Sequence, residues 1–335
     1  MNYYLVHTKD KEEYTMQKIS ISCGGINVLI ATDSNEFIKL FMRDRKKLQK
    51  IIPGVDVKIV DHNVRLMEPY IIYVDSNDKI VTIDEKNNKA IVKLPVKKLF
   101  FPDFAYLVLS MLSKEMNKIN KYFIHCSVVE KNNKGIMIIG DPGSGKTTLS
   151  LYLSMNKNFA FVCNDRALLE FFNGTPYVAA GTLETSIRIG VIPQFFPMLM
   201  DQISTMDLEK PWNNRFHFGS EFEKLGIKVK SNVPITHVLF SLTYPTTVSQ
   251  TKLEKYDTSR GQELSILKTM GCFSQYIRAD NNMFLSAECP FPSFDTNELA
   301  CKRLKDVKRF VQTTEMYSAR GDIKSLADMI DQLTV

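Results

Sequence analysis

The sequence predicts an α/β protein: a core domain built on a mixed sheet, preceded by a smaller α+β domain. Three observations predict it. Gly140-Asp141-Pro142-Gly143-Ser144-Gly145-Lys146-Thr147 fits the pattern G-x-x-x-x-G-K-[ST], and it stands between an apolar run, Gly135–Ile139, and a helix-like opening, Thr148–Leu153. Hairpin signals flank that unit on both sides, Lys131–Lys134 before it and Asn173-Gly174 after it. A plain alternation of strands and helices would have built a parallel sheet instead. Residues 1–95, finally, break into short strand-like runs separated by polar turns.

Length and composition set the bounds. A chain of 335 residues has room for two or three domains, and 44% hydrophobic with 24% charged residues is ordinary for a globular protein. The net charge of +6 is mild and its cations are scattered. The densest run, Arg43–Lys47, lies on a predicted helix and reads as a solvated face, so no nucleic-acid partner is expected. The six cysteines form no C-x-x-C pair and follow no signal-peptide pattern, so reduced thiols, a cytoplasmic location and no zinc site are expected. Leu99–Leu112 is the most apolar stretch, but Pro102 and Asp103 interrupt it and it is too short to span a bilayer.

Taken in order, Lys18–Ser22 and Ile26–Ala31 read as strands joined by a Gly24-Gly25 turn. Asp33 and Glu36 resemble a capping box for a helix carrying Phe37, Leu40, Phe41, Leu48 and Ile51. Tyr70–Val74, Lys79–Ile83 and Lys89–Leu94 read as a meander, and Pro95 with Lys97-Lys98 marks a boundary between domains 1–97 and 98–335. A helix is expected over Asp103–Asn117, a strand over Tyr122–Glu130, and another over Phe159–Cys163. Ala167–Phe172 and Thr175–Ala180 form the Asn-Gly hairpin, with Pro176 suggesting an edge strand. Then come a strand at Thr185–Ile189, a helix at Gln194–Ile203, a loop at Trp212–Arg215 and a buried strand at Ile235–Leu242. Helices at Glu263–Met270 and Asn297–Gln312, a strand at Glu315–Ala319, a turn at Arg320-Gly321 and a helix at Ile323–Leu333 close the chain.

The glycine-rich stretch is a phosphate-binding pattern for a physical reason. Glycines allow backbone N–H groups to converge on a polyphosphate, and the helix N-terminus adds partial positive charge. Gly140 through Thr148 are therefore the candidate nucleotide contacts, with Lys146 reaching the β- and γ-phosphates and Thr147 ligating Mg²⁺. Phosphoryl transfer to a hydroxyl also needs a proton acceptor. Asp165, at the carboxyl end of a buried strand, is the best candidate and a second candidate metal ligand. His125 is expected mid-strand, beside the strand that enters the loop.

His125-Cys126-Ser127-Val128-Val129, the GDPGSGKTTL stretch after Gly135, and Asn164-Asp165-Arg166 resemble the HPr serine kinase/phosphorylase family, over about residues 100–190. The resemblance implies a mixed-sheet P-loop core shared with phosphoenolpyruvate carboxykinase, ATP and Mg²⁺ as cofactors, Asp165 as base, and His125 close to the reacting phosphate. This chain departs from the family at two places. Asn164 replaces the first acid of a paired Asp-Asp, and Gly181-Thr182-Leu183-Glu184 with Arg188 stands where an arginine–glycine–leucine–glycine signature belongs. Both departures argue against phosphorolysis and against HPr as acceptor. Glu184 and Arg188 remain candidates for metal and phosphate contacts, and Arg260 is a weaker one.

The function expected is an ATP-dependent kinase acting on a hydroxyl of a peptide, a protein or a small metabolite. The N-terminal domain would recognise the acceptor or hold a homo-oligomer together. The alternative is a nucleotide-responsive regulatory protein without transferase activity. A phosphoenolpyruvate carboxykinase is disfavoured, because no Lys, His and Asp metal-ligand cluster stands at a recognisable spacing.

Overall fold

The computed structural model describes residues 16–61, 65–67, 69–84, 88–204, 208–218, 222–244, 250–277 and 293–335. The chain divides into two compact units, Met1–Ile119 with Ser274–Ala300, and Asn120–Phe273 with Cys301–Val335. The fold is mixed α/β with mixed sheets. Among the described residues no helix is long and apolar enough to cross a membrane.

The first unit contains β1 (Gln17–Cys23), β2 (Ile26–Thr32), α1 (Asn35–Asp44), α2 (Lys46–Ile51), β3 (Asp56–Val60), β4 (Tyr70–Val74), β5 (Ile80–Asp84), β6 (Lys89–Lys93) and α3 (Phe101–Lys118). Ser34, rather than Asp33, caps α1 by accepting from the Phe37 amide at 3.2 Å. The single helix expected across Phe37–Ile51 divides at Arg45. The strand order is β3-β1-β2-β4-β6-β5, so the three strands after residue 70 do not form a meander. β6 lies between the other two, parallel to β4 and antiparallel to β5. Burial gives the reason: β4 and β6 bury alternate residues (Ile71, Tyr73; Ala90, Val92), whereas β5 buries none fully and takes the edge. The core is aromatic: Phe37 stacks on Tyr73 at 4.0 Å and meets Phe104 edge-on at 5.3 Å, and Phe41 meets Phe101 at 5.5 Å. The α3 rings complete this core, so the division falls after Ile119 and not at 97/98.

The second unit carries β7 (Lys121–Ile124), β8 (Ser127–Lys131), β9 (Lys134–Ile139), α4 (Lys146–Asn156), β10 (Ala160–Cys163), β11 (Ala167–Phe172), β12 (Thr175–Gly181), β13 (Thr185–Arg188), α5 (Ile192–Phe195), β14 (Arg215–Phe218), β15 (Val233–Tyr244), β16 (Lys252–Lys255), α6 (Ser259–Ser274), α7 (Asn297–Thr313), β17 (Glu315–Asp322) and α8 (Ile323–Gln332). Its large sheet runs β10-β8-β9-β15-β12-β11-β7, with β17 joining β15 to β16. β9, β15 and β17 are mutually parallel neighbours, and the remaining pairs are antiparallel. The period-two alternation of β9 serves two cores. Ile136 and Ile138 join Leu149 and Leu153 of α4 and Leu326 and Ile330 of α8, while Met137 and Ile139 join Phe273 of α6 and Phe310 of α7.

Four sequence expectations are corrected here. Tyr122–Glu130 is two strands, because β7 pairs with β11 while β8 pairs with β9 and β10. Pro176 is not on an edge strand: β12 has neighbours on both sides, and the proline lies one residue before the β15 contact begins at Tyr177. The helix expected over Gln194–Ile203 is the short α5, followed by a 3₁₀ segment from Pro197, whose missing N–H cannot continue an α-helix. β17 runs through Arg320-Gly321 without a turn, with Gly321 at φ +123° against Thr251. The sequence also gave no sign of β3 and β16, which are short and largely exposed.

Candidate phosphate-binding site

The loop between β9 and α4 is shaped by its glycines. Gly143 and Gly145 sit at φ +85° and +82°, where a side chain is strained. A Cβ on Gly145 would also overlap Thr243 Oγ1, so the backbone there approaches β15 too closely for any other residue. β15 in turn grips the loop. The Thr243 amide and hydroxyl both donate to the Ser144 carbonyl at 3.0 Å, and Ser241 Oγ donates to it at 3.2 Å. No side chain caps α4, whose N-cap is Gly145 itself. Its first-turn amides are therefore left for an outside acceptor, and the helix dipole favours an anion there. Among the described residues the buried Ser144 Oγ likewise has no hydrogen-bond partner.

Lys146 opens α4 and is buried. Its Nζ donates to the Gly140 carbonyl at 2.8 Å and the Asp141 carbonyl at 3.1 Å. Burial lowers the ammonium pKa, and the charge of Asp165 opposes that shift. Thr147 Oγ1 donates to Asn164 Oδ1 at 2.8 Å, and Ser127 Oγ donates to the same oxygen at 2.7 Å. The residue hydrogen-bonded to the candidate metal-ligating hydroxyl is thus Asn164, the neighbour of the candidate base Asp165.

Asp165 stands at the apex of a three-residue turn, closed by the Arg166 amide on the Asn164 carbonyl at 2.8 Å. Its φ is +64°, an uncommon and costly conformation for a non-glycine residue. Thr182 holds the turn in place: its carbonyl accepts from the Asn164 amide at 2.8 Å, its amide donates to the Arg166 carbonyl at 3.0 Å, and its hydroxyl donates to the Asn164 carbonyl. The carboxylate is exposed at the end of β10.

His125 is not mid-strand. It occupies the break between β7 and β8, where the chain leaves one sheet neighbour for another, and the break turns its ring toward the loop. Burial first, then the Lys146 charge, push its pKa down to about 4, so the ring is neutral at pH 7.

These groups share one pocket of about 570 Å³, lined by His125, Pro142, Gly143, Gly145, Lys146, Thr147, Thr148 and Asp165. Of the remaining loop candidates, Gly140 and Asp141 contribute the carbonyls that hold Lys146, and Ser144 anchors the loop to β15. Glu184 and Arg260 are exposed and do not line the pocket, whereas Arg188 does. Thr243, Trp212 and Arg215 also line it, and the sequence reading assigned them no role. Trp212, the chain's single tryptophan, was the one signal that could have pointed there. Arg215 had none, because only strand pairing brings it to Arg188. Among the described residues no group of three or more His, Cys, Asp or Glu could hold a metal ion. A cation here would therefore rest on Thr147, Asn164 or Asp165 together with phosphate oxygens, a donor set that suits Mg²⁺.

Comparison with known protein families gives no match, and neither does comparison with curated proteins. Among solved structures, the Hpr(Ser) kinase/phosphatase from Coxiella burnetii is similar to this chain at 10% identity, over 63% of this chain and 92% of that one, with a TM-score of 0.30. The likeness is a distant one of fold, and nothing about this chain's activity follows from it.

Proposed function

We propose that the protein is an ATP-dependent kinase that transfers the terminal phosphoryl group to a hydroxyl of a peptide, a protein or a small metabolite. The observation that carries this reading is the strained turn presenting Asp165 in the pocket that Lys146 and the uncapped start of α4 also line. The loop amides and Lys146 hold the triphosphate, and Thr147 with Asn164 lies on the metal side. Bound Mg²⁺ would offset charge on the phosphate oxygens. Asp165 Oδ takes the proton of the attacking hydroxyl, and the neutral His125 ring offers a hydrogen bond without adding charge. The first unit serves the acceptor or a homo-oligomer.

One observation favours a second reading, a nucleotide-responsive regulatory protein: Asn164 puts a neutral amide beside Thr147, where a carboxylate would hold metal more strongly. Label transfer from γ-labelled ATP with Mg²⁺ into an extract of the source organism separates the two. The wild type should label an acceptor. Asp165→Asn should reduce that transfer by roughly 10²-fold or more while nucleotide affinity changes little. A wild type that binds nucleotide and labels nothing would establish the regulatory reading instead.

A further inference from the structure

Arg188 and Arg215 lie directly opposite each other across the β13–β14 ladder. Residues so paired project to one face, with Cβ atoms roughly 4.5–5.5 Å apart, and like charges in that position are destabilising. The face is the exposed one, because Thr185, Ile187 and Phe218 turn inward. Both arginines line the pocket. Their hydrogen bonds go to neutral acceptors. Arg215 Nε donates to Ser186 Oγ at 2.8 Å, Arg215 Nη2 donates to the Ser186 carbonyl at 3.0 Å, and Arg188 Nη1 donates to the Trp212 carbonyl. Among the described residues neither guanidinium has a carboxylate partner. Among the described residues the pocket lining thus holds three cations, Lys146, Arg188 and Arg215, against the single carboxylate Asp165.

Repulsion of this kind is retained where an anion relieves it. A carboxylate or phosphate between two guanidiniums accepts charge-assisted, bidentate hydrogen bonds and turns the repulsive pair into a clamp. The polyphosphate already has its own cradle in the loop amides and Lys146, on a different part of the chain. Beside the arginines, Trp212 lies on Gly190, where an added Cβ would come within 2.8 Å of the ring, and it leaves 46% of its surface exposed. That indole supplies an apolar wall suited to the carbon skeleton of an organic anion.

We infer that Arg188 and Arg215 form an oxyanion subsite for the acceptor, which is a hydroxyl compound carrying a carboxylate or a phosphate. The inference rests on the kinase reading for the word acceptor; the subsite itself is testable without it. The experiment is calorimetric titration of inorganic phosphate into the protein, both free and saturated with Mg²⁺ and the non-hydrolysable analogue AMP-PNP. Phosphate should bind in both states, and binding to the AMP-PNP-saturated protein, whose loop is occupied, reports the arginine subsite. Arg188→Gln or Arg215→Gln should weaken phosphate roughly tenfold or more while AMP-PNP affinity stays within about threefold. Arg215→Glu should abolish phosphate binding and raise the melting temperature, since an opposed Arg–Glu pair attracts. A purely structural arginine would lower it. Competition by acetate indicates a carboxylate acceptor, and its absence a phosphate one. The inference is overturned if the arginine variants weaken AMP-PNP as much as phosphate, or if phosphate binding is insensitive to them. Unchanged AMP-PNP affinity in Lys146→Ala would overturn the kinase reading alone.

Discussion

The pocket has two cationic parts, made in opposite ways. The loop part, Gly140 to Thr148 with Asp165, is contiguous or nearly so, and its cation is buried and held by backbone carbonyls. The ladder part, Arg188 and Arg215, is exposed and comes from two strands separated by an intervening helix. In the first, strain and burial are spent on positioning: two left-handed glycines, a left-handed aspartate and a desolvated lysine. In the second, the cost is mutual repulsion between exposed side chains held by neutral acceptors. Substitutions at Gly140 to Thr148 should therefore change stability and nucleotide binding together, whereas those in the ladder part should leave the fold intact.

The largest expected effect is at Lys146. Lys146→Ala should remove the thermal stabilisation given by Mg-ATP, which amounts to roughly 2.7 kcal/mol when ligand stands at 100 times its Kd. Retention of the wild-type melting shift would mean that the loop is not the nucleotide site. Gly145→Ala comes next. It combines a left-handed φ with overlap on Thr243 Oγ1, so a loss of about 3 kcal/mol is expected in urea denaturation. Stability within a few tenths of a kcal/mol of wild type would mean that the loop yields as easily as the ladder.

His125 sharpens the comparison through pH. Its folded pKa of about 4 lies below the usual 6.5, so the unfolded chain binds the extra proton first. Stability is then unaffected by this group above about pH 6.5 and falls as pH drops toward 4. After discounting for partial exposure, about 2 kcal/mol should be lost over that window, and His125→Asn should reduce the loss. Equal pH dependence in the two proteins would remove His125 from the buried part of the site. The smallest effect on stability is that of Asp165→Gly. Relieving the positive φ should stabilise the fold by about 1 kcal/mol while phosphoryl transfer is lost. A destabilised Asp165→Gly would mean that the turn is held for packing and not for the pocket.

Deletion of the first unit needs the correct boundary. Removing residues 1–95 would leave α3 with Phe101 and Phe104 stripped of the Phe37, Phe41 and Tyr73 rings they pack against. The interval Pro95–Lys98 looked like a linker because proline and lysines mark one locally. The apolar face of α3 carried no label saying which core would claim it.

What the sequence determined by itself was encoded within a few residues. The glycine-rich loop, the strand that enters it, the Asn-Gly hairpin and the acid at the end of β10 are all legible, because glycine conformations, helix starts and strand alternation are short-range physics. Tertiary structure decided what depends on strand partners. The break that puts His125 in the pocket exists because β7 and β8 pair with different neighbours. Asn164 reaches Thr147 because β10 pairs with β8, and Arg188 meets Arg215 because the β13–β14 register aligns them. Register is set by the summed burial of whole strands, and a shift of one residue would turn every side chain to the other face. No local pattern around Arg215 holds that information.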